Sequence, residues 1–255
     1  MTRIRPHRCG TRALATATLL LSGLVFAGAP DYLDLRHIEA LHGDAAAGKA
    51  NAAVCGACHG MTGISSVPAF PNLAGQHAEY LYWQLLEFKR EASLESPMTA
   101  QVATLDVAGM RDLAAYFESL PAADVPVNGK SESANHGGML YREGDPAKGV
   151  PPCQGCHGVD GGGHPLANEN AHWRAYPVLR GQHADYLTQR LKDFRDGKHT
   201  LSSNDRIMTP IAQSLDDASI EALAHWLEFA LQQSGDPQAS ELAPDHKVVR
   251  RGVSN

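Results

Sequence analysis

Apolar positions recur at three- and four-residue intervals through Tyr80, Leu81, Leu85 and Phe88, and again through Tyr186, Leu187, Leu191 and Phe194. This period predicts an amphipathic helix in each place. Two more helices are predicted to begin after Leu105-Asp106 and Leu215-Asp216, where acidic residues in the first turn complement the positive end of the helix dipole. They run to about Ser119 and Leu231, and Pro121 and Gly235-Asp236-Pro237 follow as stop signals. Strand-like alternation is absent along the chain, so the fold class is all-α.

The same elements are written twice. Gly43-Asp44 and Gly144-Asp145 open the copies, which run from about Gly43 to Leu120 and from about Gly144 to Leu231. Within them Phe70-Pro71-Asn72-Leu73-Ala74-Gly75-Gln76-His77 matches Tyr176-Pro177-Val178-Leu179-Arg180-Gly181-Gln182-His183, and Leu113-Ala114 matches Leu223-Ala224. The resulting plan has a signal peptide over 1–29, an N-terminal extension over 30–42, a first domain over 43–120 and a linker over 121–135. A second domain over 136–231 and a polar tail over 232–255 complete it. Pro, Ser and Gly enrichment marks the linker. The second copy carries two insertions, one through Gly161–Ala175 and one before Met208. The first adds His164, His172 and Trp173, and reads either as a partner contact or gate, or as a plain surface excursion.

The N-terminus changes the picture of charge and compartment. Arg3, Arg5, Arg8 and Arg12 precede an apolar run from Ala13 to Phe26 and an Ala27-Gly28-Ala29 cleavage site. The run is short for a membrane span, so export is expected, with retention as an uncleaved anchor as the alternative. Cys9 lies ahead of the apolar run and leaves with the signal, so every remaining cysteine belongs to the motifs described next. The chain has a formal net charge of −6, and loss of the four arginines makes it more acidic still. That balance disfavours nucleic acid and reads either as steering towards a basic partner surface or as a plain solvated surface, and Arg190, Lys192, Arg195 and Lys198 form a candidate basic patch of the opposite sense.

Two copies of Cys-x-x-Cys-His supply the chemistry: Cys55, Cys58 and His59, then Cys153, Cys156 and His157, each followed by glycine. Two thiols at this spacing can add to the vinyl groups of one haem, and the adjacent histidine can then bind the iron as proximal ligand. A Cys/His zinc module or a structural disulfide is the competing reading. Two copies in matching surroundings favour two covalently bound haem c groups. On the opposite face of each iron, Met98 and Met208 are the candidate axial ligands, because each sits seven residues before the Leu-Asp that starts the last helix of its copy. Met110 falls on an amphipathic helix and reads as core; Met61 and Met139 have no equivalent placement.

With these strings in place, including Val54-Cys55-Gly56-Ala57-Cys58-His59-Gly60, Tyr80-Leu81-x-x-Gln84-Leu85 and Leu113-Ala114-Ala115-Tyr116-Phe117, the chain resembles the dihaem cytochrome c4 family from about Gly43 to Leu231. The resemblance implies two tandem class I cytochrome c domains related by pseudo-twofold symmetry, each wrapped around one haem with His/Met ligation. It implies that Pro71 and Pro177 offer backbone carbonyls to the proximal imidazoles. It also implies haem attachment outside the cytoplasm and a periplasmic electron carrier, not an enzyme, passing single electrons from a respiratory complex or dehydrogenase towards a terminal oxidase. The rival readings are the cytochrome subunit of a periplasmic dehydrogenase, and a dihaem peroxidase or thiosulfate-oxidising enzyme. His77 and His183 read as helix-surface or domain-interface residues, and Tyr80, Trp83, Tyr186 and Trp226 as packing.

Overall fold

The computed structural model describes residues 33–90, 96–123 and 132–229. The stretch read as signal over 1–29, the tail read over 232–255 and most of the stretch read as linker lie outside them. The described residues form eleven helices and no strand, with isolated bridges at Leu33–Ser202 and Asp145–Val150. Lobe 1 contains α1 (Ala45–Asn51), α2 (Ala53–His59), α3 (Ala78–Arg90), α4 (Pro97–Val102) and α5 (Val107–Ser119). Lobe 2 contains α6 (Glu132–Glu143), α7 (Gln154–His157), α8 (Ala171–Arg174), α9 (Ala184–Arg195), α10 (Ser203–Gln213) and α11 (Asp217–Glu228).

The periodic helices appear where the pattern places them, as α3 and α9, and as α5 and α11. Asp106 and Asp216 cap the last pair, accepting from the amides of Gly109 and Ser219 at 2.8 Å each. Each lobe has its own core. Lobe 1 buries Leu81, Tyr82, Met110, Leu113 and Phe117, and lobe 2 buries Leu140, Tyr141, Leu187, Ile220 and Trp226. Met110 is therefore core, as its helical position predicts. Trp226 packs on Tyr141 with ring centroids 4.7 Å apart.

The start of lobe 2 differs from its sequence reading. Helix α6 begins inside the stretch read as linker, and Gly144-Asp145, read as the opening of the copy, stands beyond the helix's end. The structural counterpart of α1 is α6. A Cβ on Gly48 would lie 2.0 Å from the Asp112 carbonyl of α5, and one on Gly137 would lie 2.0 Å from the Ala222 carbonyl of α11. Both first helices thus cross the last helix of their lobe at a glycine, where only a missing side chain permits the approach. The glycines and polar residues of α6 mimic linker composition; packing, not propensity, makes this segment helical.

The lobes meet across a nearly symmetric set of bonds. Gln182 receives the Asn72 amide on Oε1 at 2.8 Å and donates from Nε2 to the Asn72 carbonyl at 2.9 Å. Gln76 does the same to Val178, at 2.9 and 2.8 Å. Asn72 adds a bond from Nδ2 to the Gly181 carbonyl at 3.0 Å. His183 donates from Nε2 to the Ser65 carbonyl at 3.0 Å, and His77 lies against Gly163, so both histidines stand at the interface.

Neither insertion of lobe 2 is a plain excursion. Helix α8, in the first, carries Arg174, whose Nε donates to Glu79 of lobe 1 at 2.6 Å and whose Nη2 reaches Glu118. Glu79 also accepts the Leu41 amide at 3.0 Å. The second insertion receives the N-terminal segment: the Ser203 amide donates to the Leu33 carbonyl at 2.8 Å, and the Leu35 amide to Ser203 Oγ at 2.9 Å. The Leu35 carbonyl also lies 3.3 Å from Nδ1 of His172. The extension ahead of lobe 1 is therefore a strap over lobe 2, held by both insertions.

One buried carboxyl at this junction titrates unusually. Glu87 of α3 accepts from Gln84 Nε2 at 2.6 Å. Burial first, and repulsion from Asp205 second, push it up to about 7 against the pull of Arg190. The folded protein then holds this proton more tightly than the unfolded chain, so the contribution of Glu87 to stability falls as pH rises from the ordinary carboxyl value towards 7. Glu87→Gln is expected to remove that slope and to melt higher than the parent protein at pH 8. Thermal melts at pH 5 and pH 8 measure it; identical slopes in the two proteins would show that Glu87 is not the titrating group.

Candidate haem centres

Each Cys-x-x-Cys-His motif sits on a short helix that ends at its histidine. In lobe 1, Cys55 and Cys58 lie three residues apart on α2, so both thiols share one face. In lobe 2, Cys153 is the N-cap of α7 and Cys156 lies within it. All four thiols are free, with Cys58 exposed and the others half-buried. The glycine after each histidine has a fixed task. Gly60 and Gly158 adopt φ of 79° and 82°, a region that side chains disfavour. A Cβ there would also lie 1.9 Å from the Ile64 carbonyl or 2.0 Å from the Gly163 carbonyl.

Beyond this reversal the chain returns over the histidine. Leu73 and Ala74 donate to the Gly63 carbonyl at 2.8 and 3.0 Å, and Leu179 and Arg180 to the Gly161 carbonyl at 2.7 and 3.0 Å. These bonds hold Pro71 and Pro177 in place. Their carbonyls lie 2.9 Å from Nδ1 of His59 and of His157. A carbonyl only accepts, so Nδ1 carries the proton and Nε2 keeps its lone pair in the neutral ring. Both rings are buried, and burial holds both imidazoles below the usual histidine range in spite of the bond to proline. An aromatic edge completes each setting, with Phe70 centred 6.2 Å from His59 and Tyr176 6.3 Å from His157.

The donor set fits a covalently attached haem on these observations: paired free thiols on one turn, beside a buried neutral imidazole whose tautomer leaves Nε2 as a ligand. It does not fit a zinc site. Among the described residues no three Cys, His, Asp or Glu side chains are grouped to hold a metal ion.

The two methionines occupy equivalent elements. Met98 lies at the start of α4, behind the Ser96 cap, and Met208 lies in α10. These helices pack against α3 and α9, and both side chains are partly buried. Met61 and Met139 are exposed. The candidate basic patch does not form a free cationic surface. Arg190 turns inward to Gln84 Oε1 at 2.7 Å, Arg195 bonds to Asp217 at 2.6 Å, and Lys198 bonds to Asp193 at 2.8 Å. Acidic neighbours along and beside α9, invisible in a run of basic residues, pair with Arg195 and Lys198.

The sequence reading missed the roles of Asn72, Gln76, Gln182 and Arg174. The Gly-Gln-His string repeats in both copies, and that repetition was the available signal for the glutamines. Arg174 gave none, since its partners Glu79 and Glu118 are distant in sequence.

Comparison with known proteins identifies the family. The model of the cytochrome c family matches residues 45–121 and 151–229. Cytochrome c4 of Azotobacter vinelandii is 40% identical over 197 residues, covering 73% of this chain and 89% of the relative. The thiosulfate dehydrogenase electron acceptor of Thiomonas intermedia is 33% identical over 220 residues, 85% of this chain and 89% of the relative. The crystal structure of reduced recombinant cytochrome c4 from Pseudomonas stutzeri superposes with a TM-score of 0.65 at 38% identity, covering 73% of this chain and 98% of that one.

Proposed function

This chain belongs to the cytochrome c family, as a dihaem protein similar to the cytochromes c4, and from that footing we propose that it carries single electrons in the periplasm towards a terminal oxidase. In this reading Cys55, Cys58, Cys153 and Cys156 hold the two haems. His59 and Met98 ligate one iron, His157 and Met208 the other. The bound haem supplies a reversible one-electron iron couple. The residues around it would do the rest: the Pro71 and Pro177 carbonyls would fix the imidazole tautomer and orientation, and the Met98 and Met208 thioethers would favour the ferrous state and keep small molecules from the iron. The supporting observation is the matched pair of histidine–proline bonds on the two sides of one hydrogen-bonded interface.

The acidic balance of the chain, −6 over the full sequence, and the pairing of Arg195 and Lys198 with aspartates favour a basic docking surface on the partner. Electron transfer to a basic acceptor is expected to slow as salt rises, since the Debye length falls from about 30 Å at 0.01 M to about 10 Å at 0.1 M. Stopped-flow rates with one basic and one acidic redox protein across a salt series test this. A rate with the basic protein that is flat or rises with salt rules out electrostatic steering of this sign.

A second reading, acceptance of electrons from a periplasmic dehydrogenase, is favoured by the similarity to the thiosulfate dehydrogenase electron acceptor. Co-purification separates the two. A dedicated subunit arrives with a stoichiometric dehydrogenase, whereas a diffusing carrier arrives alone and is reoxidised by oxidase-containing membranes.

A further inference from the structure

The interface glutamines reach further than the interface. The Asn72 amide that donates to Gln182 Oε1 at 2.8 Å belongs to the same peptide unit as the Pro71 carbonyl, which receives His59 Nδ1–H at 2.9 Å. In the other direction, the Val178 amide donates to Gln76 Oε1 at 2.9 Å, and the Pro177 carbonyl of that peptide receives His157 Nδ1–H at 2.9 Å. Each chain of bonds starts at the imidazole of one lobe and ends on a side-chain amide of the other. The orientation of both amides is fixed. Oε1 must face the peptide N–H because Nε2 faces a carbonyl, Asn72 or Val178, on its other side. Asn72, Gln76 and Gln182 are buried, where water competes little for these bonds.

We propose that Gln76 and Gln182 are positioning residues that act across the interface, each tuning the iron of the opposite lobe through the peptide that receives its imidazole. The inference rests on His59 and His157 being axial ligands. An acceptor on a peptide N–H shifts electron density to the carbonyl oxygen of that peptide, because hydrogen bonds in a chain polarise one another. The more negative carbonyl draws harder on Nδ1–H and makes the imidazole a stronger donor to iron. A stronger donor favours ferric iron, so each glutamine lowers the potential of the centre it does not belong to. A glutamine that merely joined the lobes would move both centres together, or its own.

The test uses the full-length holoprotein with Gln182→Met and Gln76→Met, which keep side-chain length and remove the amide. Redox titration followed by NMR reads each centre separately, through haem methyl resonances assigned from the ring protons of His59 or His157. Gln182→Met is expected to raise the potential of the lobe 1 centre and Gln76→Met that of the lobe 2 centre, each with a smaller change in the other. The ferrous-to-ferric ratio at fixed potential should change by roughly two- to tenfold, tenfold being about 59 mV for one electron. Gln182→Glu keeps an oxygen facing the Asn72 amide in either protonation state, so it should leave the lobe 1 centre at or below its parent value. It carries the test alone if the methionine variants lose haem. A shift confined to the glutamine's own lobe, equal shifts in both, no shift, or a rise with Gln182→Glu overturns the proposal. Absence of hyperfine-shifted His59 and His157 ring protons in the unmodified protein refutes the ligand assignment instead.

Discussion

Replacing Cys55 and Cys58 together with serine leaves one covalent haem per chain instead of two. The remaining haem survives acid-acetone extraction and is counted by the pyridine haemochrome assay. Loss of the first haem also weakens lobe 1 selectively, because the buried residues of its core come mainly from two helices, α3 and α5, and a domain of this size buries little apolar surface of its own. Lobe 2, whose core is separate, should keep its haem and its helices. Amide exchange resolves the two, with protection lost around Leu81 and Leu113 and retained around Leu187 and Leu223. A variant that still carries two haems contradicts attachment at this pair, and one that loses both lobes at once contradicts the independence of the two cores.

Met98→Ala and Met208→Ala should each open one iron and leave its haem attached. The open centre gains cyanide and carbon monoxide binding, loses its share of the methionine-to-iron charge-transfer band, and falls in potential because the thioether no longer favours ferrous iron. The two variants should differ in stability. Met98 lies one residue from the start of a six-residue helix, whereas Met208 is in the middle of an eleven-residue helix closed by a capping box at Ser202 and Asp205. Truncation in α4 is therefore the more disruptive locally. An unchanged ligand spectrum in Met98→Ala assigns the position to another residue.

The helices and the proximal side of both centres were legible because their cause is local. The three- and four-residue apolar period fixes α3 and α9, an aspartate cap starts α5 and α11, and Cys-x-x-Cys-His brings thiols and imidazole together within one turn. The proline carbonyls came from resemblance, and the geometry adds what places them, the bonds from Leu73 and Leu179 back to Gly63 and Gly161. What stayed hidden depends on contacts remote in sequence. Helix α6 reads as linker because its glycines serve a crossing with α11, not helix propensity. The basic run on α9 reads as a patch because Asp217 lies in another helix. The first insertion reads as a gate or an excursion until Arg174 is seen beside Glu79 and Glu118.

The strap at Leu33–Leu35 gives the molecule a further fastening between its halves, beside the glutamine bonds and Arg174. Leu35 and Ser203 are separated by 168 residues, yet the entropy of closing so large a loop grows only slowly with length, by about 0.6 kcal/mol per doubling. Most of that closure is already made where the glutamines pair the lobes, so the strap adds little further loop entropy to the folded state. A chain cut between the lobes would therefore stay in one piece. The protection of the Leu35 and Ser203 amides becomes a clock for the moment the halves part.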